Sequence, residues 1–92
     1  MIRNFRHKGL KKFFERGDAG QVSAAYRNKI SRILATLQAA TIPEDLDLTG
    51  FRLHRLTGEY KNFWSVTVSA NWRIIFRMED GDVCDVDFLD YH

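Results

Sequence analysis

The chain has 92 residues, 45% hydrophobic and 13% aromatic, with a formal net charge of +2. That length supports one hydrophobic core, so a single domain over residues 1–92 is expected. Seven Phe, two Trp and three Tyr beside 28% charged residues exclude a disordered chain, and a lone cysteine excludes an internal disulfide. No apolar run approaches the ~20 residues of a membrane span. The charged residues 1–8 are not followed by the apolar stretch of a secretory signal. A cytoplasmic protein without a membrane partner is the expectation.

The small net charge conceals an asymmetry. Residues 1–40 carry nine Lys/Arg against Glu15 and Asp18, a balance of +7, whereas residues 41–92 carry five against ten acids, a balance of −5. A polyanion partner for part of the surface would explain this, and so would a fold that mixes the two halves.

In chain order, residues 2–5 suggest a short first strand. Leu10, Phe13 and Phe14 recur at helical spacing, with Lys8, Lys11, Lys12 and Arg16 on the remaining arc, and Gly17 closes the helix. Ser23 is the predicted cap of a second helix whose inner face is Tyr26, Ile30, Ile33, Leu34 and Leu37. Residues 41–49, with Pro43, form a connecting loop. From residue 51 the period drops to two. Phe51 and Leu53, then Trp64, Val66, Val68 and Ala70, then Trp72, Ile74, Phe76 and Met78, then Cys84, Val86 and Phe88 fall on inward parity. Asn71 marks a bulge or tight bend, and Asp80-Gly81 a hairpin turn. The reading is α+β: two N-terminal helices packed on one face of a three- to five-stranded antiparallel sheet.

Parity also lists the other face: Arg52 and His54, then Ser65, Thr67 and Ser69, then Arg73 and Arg77, then Asp85 and Asp87. Any half-solvated sheet has such a polar face. The chain end adds Asp90, Tyr91 and His92, which could fold back over it. Two imidazoles (His54, His92), a guanidinium (Arg73), a phenol (Tyr91) and a carboxylate (Asp90) suit a metal-free attack of an RNA 2′-hydroxyl on its own phosphate. A surface strand histidine and a frayed terminal one account for the same residues without catalysis. His7, His54, His92 and Cys84 lack zinc spacing, so no metal site is expected, and no glycine-rich phosphate loop occurs.

The stretch Leu53-His54-Arg55-Leu56-Thr57-Gly58, residues 60–68, the strand Asn71-Trp72-Arg73-Ile74 and the end Asp90-Tyr91-His92 resemble the HigB toxins of the RelE/ParE superfamily. The opening Phe5-Arg6-His7-Lys8-Gly9-Leu10-Lys11 does too, so the resemblance covers nearly the whole chain. It implies a single RelE/HigB-like toxin domain that cuts messenger RNA codons in the A site of the 70S ribosome, without metal or organic cofactor. It further implies a HigA-like antitoxin as partner, with operator DNA reached only through that antitoxin. Carried over by motif, His54, Arg73, Asp90, Tyr91 and His92 become the catalytic candidates. Family members often carry a lysine where this chain has Thr57, and Arg55 and Lys61 flank that position as substitutes. Lys8, Lys11, Lys12, Arg16, Arg55, Lys61 and Arg77 are the candidates for contact with RNA, including ribosomal RNA. The same superfamily includes ParE, a gyrase poison without an acid–base cluster, which is the alternative function.

Overall fold

The computed structural model describes residues 1–90. Helix α1, Lys8–Arg16, forms where Leu10 and Phe13 recur on one side. His7 Nδ1 accepts the Leu10 amide at 3.0 Å and satisfies one of the unpaired donors at the helix start. Gly17, at φ 69°, ends the helix in the left-handed conformation and donates to the Phe13 carbonyl at 3.0 Å. Helix α2, Arg27–Ala39, buries Ile30, Ile33, Leu34 and Leu37, as its spacing predicts. Ser23 gives it no side-chain cap, because a 3-10 turn over Ala24–Tyr26 intervenes.

Four antiparallel strands follow in the order β1 (His54–Arg55), β2 (Trp64–Thr67), β3 (Trp72–Glu79) and β4 (Asp82–Asp90). The β3–β4 hairpin turns at Asp80 and Gly81, both at positive φ (52° and 81°), the geometry that matches strand twist. Asn71 lies in the tight β2–β3 connection, where the Val68 and Ser69 amides bond the Trp72 carbonyl. The helices pack on one face, and Val66, Val68, Ile74, Phe76, Val83 and Val86 meet Leu10, Ile30, Ile33, Leu34 and Leu37 there. Each large apolar side chain fully buried in this layer contributes about 1.5–3 kcal/mol.

Four further local expectations change. Residues 2–5 make only two isolated parallel bridges to β4, Ile2 to Val83 and Phe5 to Val86, rather than a strand. Within the 41–49 connection, a 3-10 turn over Pro43–Leu46 buries Leu46, and Asp45 accepts the Thr41 amide at 2.9 Å. Alternation with Val86 and Phe88 predicts Cys84 on the helix side, and it is buried on the opposite side. Asp85, at φ 54°, is a bulge that shifts the register between Ile75 and Arg77. Val83 therefore joins the core opposite Met78, and Cys84 pairs with Arg77. Arg52 also leaves the alternation. It sits at φ 51°, where the Thr67 amide bonds the Phe51 carbonyl at 2.7 Å, and its charge lies near Lys29 of α2.

Candidate active site

The face of the sheet turned away from the helices can be read row by row. His54 pairs with Ser65, Ser65 with Ile75, and Ile75 with Asp87. One row along, Thr67 pairs with Arg73 and Arg73 with Leu89. His54 and Arg73 thus share this face on a diagonal, about 12 Å apart between Cα atoms by standard strand spacings. Both side chains are long enough to converge on one phosphate placed between them.

Each is oriented by a neutral neighbour. His54 Nδ1 lies 3.0 Å from the Arg52 carbonyl oxygen. A carbonyl only accepts, so Nδ1 carries the proton, and in the neutral ring Nε2 keeps its lone pair. Arg73 Nη1 donates to Thr67 Oγ1 at 2.6 Å across the β2–β3 pair. That bond aims the half-buried guanidinium without neutralising it. Beneath them Ser65 and Ile75 are buried, so the face is a packed floor rather than an open polar surface.

The remaining candidates divide. Asp90 pairs with Trp72, whose ring packs against the core, so the register turns it toward the helix side at the end of β4. Tyr91 and His92 lie outside the described residues. Arg55 shares the side of Trp64, with its guanidinium 5.9 Å from that ring, and faces away from His54. Thr57 and Lys61 are exposed in the loop between β1 and β2. Arg77 donates to Asp85 at 2.9 Å and lies 3.4 Å from Glu79. Lys8, Lys11, Lys12 and Arg16 are exposed on α1, in the helical layer. Sequence reading missed the positioning roles of the Arg52 carbonyl and the Thr67 hydroxyl. The parity that places Thr67 opposite Arg73 was a usable signal for the second, whereas the backbone turn at Arg52 had none.

The family described as "RelE-like toxin of type II toxin-antitoxin system HigB" matches residues 3–92. The chain belongs to this family of HigB-like toxins, one half of a toxin–antitoxin pair. It is 40% identical over the whole of both chains to the endoribonuclease HigB of Proteus vulgaris. It is 31% identical to toxin HigB-1 of Vibrio cholerae serotype O1, over all of this chain and 98% of that one. Among solved structures, YafQ from E. coli strain BL21(DE3) has the same fold at 18% identity, with a TM-score of 0.56 over 92% of this chain and 88% of that one. No helix among the described residues is long and apolar enough to cross a membrane.

Proposed function

We propose that this toxin is a cytoplasmic endoribonuclease that cuts messenger RNA on the ribosome, and that His54 and Arg73 belong to its catalytic machinery. The observation that carries this reading is the shared helix-free face, with the His54 tautomer set by Arg52 and the Arg73 fork set by Thr67. The family membership and the name of the Proteus relative support it.

In this reading His54 Nε2 takes the proton of a ribose 2′-hydroxyl, and the oxygen attacks the adjacent phosphorus. Arg73 holds the non-bridging oxygens as negative charge builds on them. The bond to the 5′-oxygen breaks, and that oxygen takes a proton from a second acid, the role assigned to His92. A 2′,3′-cyclic phosphate and a 5′-hydroxyl result. Tyr91 stacks on or orients the scissile nucleotide, and Asp90 places the chain end. The face offers few groups that read bases, so the ribosome supplies much of the alignment, worth several kcal/mol in favourable cases. Ribosomal RNA is met by the basic helical layer, and a HigA-like antitoxin silences the toxin and links it to operator DNA.

The test is cleavage of a translated message in a purified translation system. His54→Ala lowers the rate about 100-fold and Arg73→Ala about 100- to 1000-fold, while both variants stay folded. Full activity in either variant removes that residue from the mechanism, and equal cutting of free and translated message removes the ribosome from it.

A further inference from the structure

The cations of this chain fall into two groups by what neutralises them. Arg3, Arg6 and Arg77 sit against Glu79, Asp82 and Asp85, at 2.9 to 3.8 Å. At the corner where α2 meets the turn before β1, three further cations gather without such partners. Lys29 Nζ donates to the Gly50 carbonyl at 2.9 Å. Arg32, one helical turn on, holds its guanidinium 5.6 Å from the centre of the buried Phe51 ring. Arg52 follows Phe51 in the left-handed conformation. Among the described residues, no carboxylate lies within ion-pair distance of any of the three. Burial, and then the charges of Arg32 and Arg52, hold the Lys29 ammonium below the ordinary lysine value. Like charges fixed this close repel, and an anion seated among them relieves that repulsion.

We infer that Lys29, Arg32 and Arg52 form a seat for one backbone phosphate of the bound RNA, next along the strand from the phosphate held by His54 and Arg73. The inference rests on the nuclease reading above and adds a subsite to it. Three features favour a phosphate as occupant. The Lys29 ammonium is anchored to Gly50 and keeps two further protons for an acceptor. The Arg32 guanidinium, held over the Phe51 ring, has donors to offer for bidentate binding. The seat is also tied to the reacting centre, since the Arg52 carbonyl is the group that orients His54. Arg52 and His54 stand two positions apart at the edge strand β1 and are joined by that hydrogen bond, so the seat lies beside the reacting centre.

The experiment measures binding of an eight-nucleotide 2′-O-methyl RNA to the full chain across a salt series, since that probe cannot be cut. Lys29→Met, Arg32→Gln and Arg52→Gln are each expected to weaken binding about tenfold at low salt. The triple variant is expected to lower the slope of log affinity against log salt by about 0.7, the loss of one single-strand phosphate contact. Arg32→Lys recovers part of the loss, and Arg3→Gln, the same charge lost where Glu79 and Asp82 already neutralise it, costs less than about twofold. Melting curves confirm that the variants fold.

His54→Ala, combined with Arg52→Gln, separates the two readings: the loss of probe binding at the seat persists although cleavage is already lowered about 100-fold. Wild-type affinity and slope in the seat variants overturn the seat while leaving the nuclease reading standing. So does an unchanged RNA affinity with lost binding to the antitoxin, which would assign the corner to an acidic protein. A wild-type chain that does not bind the probe overturns it as well.

Discussion

The Thr67 hydroxyl lies 2.6 Å from Arg73 Nη1, and the Arg52 carbonyl 3.0 Å from His54 Nδ1. Neither neighbour carries a charge at the bonding atom, so each fixes direction without diminishing the electrostatics of the group it holds. Thr67→Val is therefore expected to lower kcat for message cleavage about tenfold with little change in KM, and Thr67→Ser to restore most of it. A variant that loses stability but keeps kcat would make the bond structural only. Gly9 carries a different constraint. A Cβ there would stand 2.7 Å from Gln21 Cβ and 2.8 Å from His7 Cε1. The helix could not close against the following loop, nor His7 reach its cap. Gly9→Ala should cost about 1–3 kcal/mol, read by chemical denaturation.

At the scale of elements, Asp85 decides the register of β4. Its Oδ1 accepts from Asn4 Nδ2 at 2.7 Å and its amide donates to Asn4 Oδ1 at 3.1 Å, while Oδ2 accepts from Arg77. These bonds from Asn4 and Arg77 hold the carboxyl below its ordinary range, as the Arg3 hydrogen bond does for Asp82. A depressed carboxyl stabilises the fold above its unfolded value of about 3.9, and that stabilisation disappears as pH falls through the folded value. Denaturation midpoints should therefore drop steeply below about pH 4, and Asp85→Asn should flatten that dependence while lowering stability at neutral pH. An unchanged acid profile in Asp85→Asn would show that the seam between the N-terminal segment and β4 contributes nothing. The same element shows where sequence reading stops. Helical spacing gave both helices, and the Asp80-Gly81 pair gave the hairpin, because those signals are local. Nothing local marks Asp85 or Arg52 as left-handed. Asp85 is held there by a partner 81 positions away, so the side of Cys84 could not be read from alternation. His54 and Arg73 were legible as a pair because no bulge lies between either residue and the shared Ser65–Thr67 strand.

Over the whole molecule, the charge asymmetry of the chain is partly cancelled and partly preserved. Arg3 and Arg6 of the basic half are neutralised by Glu79, Asp82 and Asp85 of the acidic half. Among the described residues the cations of α1 and α2 make no ion pair, and they lie on the helical side while His54 and Arg73 face the other way. In the proposed reading, chemistry and docking therefore occupy opposite sides, with the Lys29–Arg32–Arg52 corner between them. The most direct test is to map the 5′ ends of messenger fragments in cells after brief induction of the chain without its antitoxin. The account predicts ends that cluster within translated codons in one reading-frame phase and disappear in Arg73→Ala. Ends that persist in Arg73→Ala, or that fall equally in untranslated regions, would contradict it.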